Sequence, residues 1–223
     1  MKNIKSIKPC RFTGKTALIT GASSGIGAAA AASLAAQGLK VILVARRQEK
    51  LEQLAREISA LGGQALVMTA DLSTPQGVEQ LVRVLFQKGI SVGVLVNNAG
   101  FGWYGYYADI AWEIAREMLQ VNISAVIQLT RLLLPGMLER RCGHIINIGS
   151  IAGSLPNQGI AVYSASKAFL DAFTTSQHRE LRGSGVHAGQ RGSPRASQNR
   201  VLSDCPHRAG GRFHPRRAFC GIR

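Results

Sequence analysis

The sequence predicts an α/β fold: a doubly wound parallel sheet with helices on both faces. Three observations carry this. Short apolar runs alternate with helix-patterned stretches from about residue 12 to residue 182. The runs are apolar on both faces, as strands are when helices cover both sides of a sheet. A glycine-rich turn joins the first run to the first helix.

The elements follow in order. Thr16–Thr20, "TALIT", reads as a buried strand. The alanine-rich stretch after "GASSGIG" is a strong helix former, and Gly38 sits where a C-terminal glycine belongs. "KVILVAR" (Lys40–Arg46) is the second strand. Leu51, Leu54, Ile58 and Leu61 repeat at helical spacing, which predicts a helix over Gln48–Leu61. "QALVMTAD" (Gln64–Asp71) is the third strand. Ser73 or Thr74 caps the next helix, with Pro75 in its first turn. "VGVLVNNAG" is a fourth strand and its exit loop. Asp109–Arg140 reads as mostly helical, broken or kinked near Pro135. "HIINIGS" (His144–Ser150) is a fifth strand, and Ile160–Leu181 a further long helix.

Composition limits the choices. A chain of 223 residues with 46% apolar content is sized for one domain with a real core. No apolar run reaches the ~18 residues of a membrane span. The basic N-terminus (Lys2, Lys5, Lys8, Arg11, Lys15) lacks the apolar core of a secretory signal. Cys10, Cys142, Cys205 and Cys220 form neither a CxxC pair nor a dense disulfide framework, so a cytoplasmic location is expected. No metal site is expected. The net charge is +15, but residues 183–223 supply +7 of it, with eight arginines, no lysine and one acid, Asp204. The overall basicity therefore says little about nucleic acid.

Thr20–Gly27 reads "TGASSGIG" between a strand and a helix. Glycines let the backbone turn tightly and let a pyrophosphate approach the helix N-terminus, where free N–H groups and the dipole favour an anion. The alternative is a turn that only packs helix against strand. The loop predicts dinucleotide contacts from Gly21, Ser23, Ser24, Gly25, Ile26 and Gly27. An NAD site usually offers an acid after the second strand to hold the ribose 2′-OH. This chain has Ala45, Arg46 and Arg47 there. Arg46 suits a 2′-phosphate, which favours NADP; the alternative is that both arginines are solvated loop charges, and Arg47 is read as one. Asp71 suits the adenine; its other role is to cap the helix near Ser73.

"YSASK" places Tyr163 and Lys167 four apart, on one helix face. A tyrosine with an ordinary pKa near ~10 needs help to transfer protons at neutral pH. A neighbouring ammonium supplies it by stabilising the phenolate. The bland counterpart is a surface lysine beside a core tyrosine.

Taken together, "TGASSGIG", "NNAG" (Asn97–Gly100), Asn122 in "VNIS", Ser150 in "INIGS" and "YSASK" resemble the short-chain dehydrogenase/reductase family, of the single-domain NADP-dependent kind. The resemblance covers about Phe12–Arg182. It implies a Rossmann-like fold and a hydride exchanged between NADP(H) and a carbonyl or alcohol substrate. Tyr163 would exchange the proton with the substrate oxygen, and Ser150 would hydrogen-bond that oxygen. Lys167 would bind the nicotinamide ribose, and Asn122 would hold a water in the proton path. Asn98 would support the cofactor ribose. It also implies a homo-oligomer, a dimer or tetramer, through helices around Asn122–Leu138 and Ile160–Leu181. "FGWYGYY" (Phe101–Tyr107) lies where ligands bind in such sheets; it lines a pocket, packs its own loop or meets another subunit.

The pattern changes at "GVHAGQRGSPRASQNR", from Gly185. The family continues with a sixth strand, a Pro-Gly turn, a substrate helix and a seventh strand. Here a strand begins at "GVHA" and is expected to fail at Gly189-Gln190-Arg191. The domain organisation expected is thus an incomplete dinucleotide-binding domain over 1–182, lacking the family's last two strands, and a basic tail over 183–223. Arginine, glycine, alanine, proline and serine are what a GC-rich coding region gives in a shifted frame, so a frameshift product is expected. An unpaired edge on the fifth strand and impaired activity would follow. The alternatives are a dinucleotide-binding protein without turnover and a basic tail that binds nucleic acid.

Overall fold

The computed structural model describes residues 15–192. Six parallel strands form one sheet in the order β3-β2-β1-β4-β5-β6. They are β1 (Thr16–Thr20), β2 (Lys40–Ala45), β3 (Gln64–Thr69), β4 (Val92–Asn97), β5 (Gly143–Ile148) and β6 (Val186–Arg191). The helices are α1 (Gly25–Ala36), α2 (Gln48–Ala60), α3 (Pro75–Gln87), α4 (Trp112–Leu119), α5 (Ala125–Glu139) and α6 (Ala161–Glu180).

Alternate residues of the strands feed two cores, one on each face. Ala17 and Ile19 of β1 join Ala31 and Ala35 of α1 and Leu51 and Ile58 of α2. Leu18, between them, joins Val78 and Leu85 of α3 and Leu129 and Leu133 of α5. This period-two division explains why the runs are apolar throughout. Thr74 caps α3 by accepting from the Gly77 N–H at 3.1 Å, with Pro75 following it in the first turn. Gly38 takes φ +83 after α1, a left-handed backbone that glycine adopts without strain.

Two expectations are corrected. The helical stretch before β5 is interrupted by a π-helical turn at Gln120–Ser124, while α5 runs on through Pro135. The turn carries Asn122, and such turns often mark functional sites. The stretch Trp112–Glu139 is apolar and long enough to cross a membrane by length and composition. In this fold its Met118, Leu129 and Met137 are buried in the protein.

The second correction concerns the chain after Gly185. β6 forms and pairs with β5 over six positions, from Gly143↔Val186 to Ile148↔Arg191. The first of the two strands expected to be missing is therefore present, and the β5 edge is covered. The ladder is made by backbone groups, which any residue but proline supplies. Val186 and Ala188 add to the core beside Ile145. Gln190 is buried, and its amide donates to the Asp171 carboxylate. A sequence that looks unlike a strand is thus held by its neighbours. The rest of the basic tail, with the missing Pro-Gly turn and the seventh strand, lies outside the described residues. Cys142 is the one cysteine among the described residues.

Candidate active site

The strand order reverses between β1 and β4, so the loops leaving those two strands face each other across a crevice. Thr20, the last residue of β1, ties them. Its hydroxyl donates to the Val96 carbonyl and accepts from the N–H groups of Asn98 and Ala99, both at 3.0 Å. Asn98 returns the bond: its amide donates to the carbonyls of Thr20 at 2.9 Å and Gly21 at 3.2 Å. The sequence points to Asn98 here but not to Thr20, which looks like any strand-end threonine.

Two glycines are required by this closeness. A Cβ on Gly27 would collide with the Gly21 carbonyl and the Asn98 amide. Gly21 itself sits at φ +65 with the Ala99 backbone against it. Gly25, at φ +58, opens α1. Ser24 precedes it with no side-chain cap bond, and no acid stands in the first turn. The helix N-terminus is therefore free to face an anion. Ile26 is exposed on the rim.

The two arginines after β2 are both exposed and take different partners. Arg47 lies across the glycine loop. Its guanidinium donates to the Ser23 hydroxyl at 2.9 and 3.2 Å and to the Ser24 hydroxyl at 2.8 Å. Arg46 turns to Glu117 on α4, at 3.3 Å. The spacing of arginines in a loop cannot show which one reaches the serines; only the chain's path does. Asp71 accepts from the Ser73 N–H at 3.0 Å. Burial works to raise its pKa, but bonds from Ser73 and the Arg46 charge prevail and hold it below the usual value.

The second half of the constellation gathers around α6. Asn122, 1% exposed, holds the loop after "NNAG". Its carbonyl oxygen accepts from the Phe101 N–H at 3.1 Å, and its amide donates to the Phe101 carbonyl at 2.9 Å and to Ser166 at 3.1 Å. Ser166 in turn donates to the Tyr163 carbonyl at 2.7 Å. Gly102 packs on the Tyr163 ring, where a Cβ would lie 3.1 Å from Cδ2. Lys167 is buried and donates to the Ile148 carbonyl at 2.8 Å. Its Nζ stands 5.8 Å from the Tyr163 ring centroid. Burial lowers its pKa to about 8, opposed by the negative charge of Asp171. Ser150 ends the β5 exit and accepts from the Ala152 N–H at 3.2 Å.

The structure thus brings Gly21, Gly27 and Asn98 together, and Ser23 and Ser24 with Arg47. It sets Tyr163 against Lys167, and Asn122 against the loop that covers them. Residues 15–190 match the model of the short chain dehydrogenase family. The chain belongs to that family. It is 41% identical over 178 residues to a very-long-chain 3-oxoacyl-CoA reductase of Anas platyrhynchos, covering 78% of this chain and 57% of the relative. It is 39% identical over 176 residues to the ketoacyl reductase HetN of Nostoc sp., covering 79% of this chain and 61% of the relative. This short-chain dehydrogenase therefore spans less than two thirds of both curated relatives. Among solved structures, a metagenomic short-chain oxidoreductase in complex with NADP is similar at a TM-score of 0.76 and 40% identity. That likeness covers 80% of this chain and 81% of the other.

Proposed function

We propose that this chain is an NADP-dependent carbonyl reductase in which Tyr163 supplies the proton. The single observation that carries the proposal is the buried Lys167 ammonium set beside the Tyr163 ring. The positive charge stabilises a phenolate, so the phenol can give its proton to a substrate oxygen and recover it. Ser150, at the end of β5, would hydrogen-bond the same oxygen. Asn122 holds the Phe101 loop over the pair through its side chain. The π-helical turn it sits in disturbs the i→i+4 ladder, which frees main-chain carbonyl capacity for a water in the proton path.

The residues present fit a dinucleotide phosphate. The uncapped N-terminus of α1 and the close-packed Gly21 and Gly27 would take the pyrophosphate. Arg47 with Ser23 and Ser24 would take the 2′-phosphate, with Arg46 adding charge nearby. Asp71 would meet the adenine, and Asn98 and Lys167 the ribose on the nicotinamide side. When bound, NADPH supplies the hydride. The relatives named as 3-oxoacyl-CoA and ketoacyl reductases support a 3-oxoacyl thioester as the substrate. Exposed Tyr104, Ile151 and Leu155 give its acyl chain an apolar approach. Exposed Ile127, Leu138 and Phe169 on α5 and α6 support a homo-oligomer through those helices.

The test is NADPH consumption with a series of 3-oxoacyl thioesters, by the chain and by Tyr163→Phe. The expected result is turnover that falls by about 10²–10⁴ in the variant, with NADPH affinity retained. NADPH binding without turnover in either protein would favour a dinucleotide-binding protein instead.

A further inference from the structure

Directly after β2 stand Arg46 and Arg47, where an NAD site offers an acid to the ribose. The fold brings an acid there from elsewhere. Glu117, on α4, lies 71 residues from Arg46 in the chain, yet its Oε1 stands 3.3 Å from the Arg46 Nη1. β2 and β4 flank β1 in the sheet. Arg46 follows β2 and α4 follows β4, so the pair reaches from one side of β1 to the other. It bridges the mouth of the crevice beside the glycine loop. The two arginines are thus divided: Arg47 bonds to Ser23 and Ser24, and Arg46 is drawn to α4. Asp71 is a second acid that feels Arg46. Burial works to raise its pKa, but the Ser73 bonds and the Arg46 charge lower it.

A guanidinium bonded to a carboxylate must exchange that partner for a 2′-phosphate, whereas a ribose 2′-OH makes no such claim on it. The bond is a single one between side chains that are 65% and 40% exposed, so the exchange costs little and leaves the site accessible. We propose that Glu117 is a specificity-determining residue for the cofactor: its carboxylate competes with the 2′-phosphate for the Arg46 guanidinium and so narrows the preference for NADPH over NADH. This rests on the reading of the β2 exit as the 2′-phosphate site.

The experiment is fluorescence titration of the full chain with NADPH and with NADH at low ionic strength, in the parent, Glu117→Gln, Arg46→Ala and the double variant. Glutamine keeps the length and an acceptor and removes the charge. Glu117→Gln is expected to bind NADPH about two- to fivefold more tightly, the size of a released surface ion pair, with NADH bound no more tightly than by the parent. The gain is expected to vanish in the double variant, because it is routed through Arg46. Unchanged or weaker NADPH binding by Glu117→Gln would overturn the proposal; the weaker case would mean that Glu117 presents Arg46 to the phosphate. An equal gain for NADH, or a gain that persists without Arg46, would overturn it too. Arg46→Ala tests the underlying reading separately. If it loses no NADPH affinity relative to NADH, the 2′-phosphate reading of Arg46 fails and the proposal falls with it. If it loses affinity while Glu117→Gln gains none, that reading stands and only the Glu117 assignment falls.

Discussion

Lys167 is pulled two ways, by burial that favours the neutral amine and by Asp171 that favours the ammonium. Burial prevails, and its pKa falls to about 8. Arg47 is the other residue whose surroundings define its role. Its donors already point at Ser23 and Ser24, and a 2′-phosphate would replace neutral acceptors with a doubly charged one. Arg47→Ala is expected to weaken NADPH binding by about 10- to 100-fold, the size of a lost charge-assisted bond, and to leave NADH binding nearly unchanged. Fluorescence titration with both cofactors checks this; equal losses for the two would remove Arg47 from the phosphate site. The contiguous motifs were legible in the sequence because each is local: a glycine loop, or two side chains four apart on a helix. The contacts of Arg47 and Thr20 were not, because they depend on partners 24 and 76 residues away.

Among the elements, the junction between β1 and α1 is closely packed. Gly27 leaves room for the Gly21 carbonyl and the Asn98 amide, both tied to the β4 exit. Gly27→Ala would push the loop off Asn98. It is expected to cost about 1–3 kcal/mol of stability, as overpacking does, and to abolish tight NADPH binding. Denaturant unfolding with and without NADPH reads both effects; a variant that still gains full stability from the cofactor would contradict this geometry. Five strands were legible from their apolar runs: β1, β2, β4 and β5 are buried by their own side chains, and the edge strand β3 is half-buried. β6 was not, because its pairing to β5 and the Gln190–Asp171 bond come from neighbours rather than from pattern. The π-helical turn was hidden for a similar reason. Pro135 is the conspicuous breaker in sequence, yet the interruption falls at Gln120–Ser124.

At the scale of the whole molecule, the β5–β6 pair also carries a stability switch far from the motifs. His144 is buried and stacks on His187 with centroids 5.2 Å apart. Burial, then the charges of His187 and Lys15, lower its pKa from 6.5 to about 4. The folded state thus binds fewer protons than the unfolded state between those values, and stability falls as pH drops through that window. The loss is on the order of 3 kcal/mol at the low end. Urea unfolding at pH 7 and pH 4.5 is expected to show a smaller pH difference for His144→Asn than for the parent. An identical difference would remove His144 as the source.

We propose above that this short-chain dehydrogenase moves a hydride to a carbonyl with Tyr163 as the acid. The most direct measurement uses NADPH deuterated at the transferred position, a 3-oxoacyl thioester, and mass spectrometry of the product. One deuterium is expected in the 3-hydroxyacyl product of the chain and almost none with Tyr163→Phe over the same time. Deuterium transferred at equal rates by both proteins, or NADPH bound by the chain with no labelled product, would contradict it.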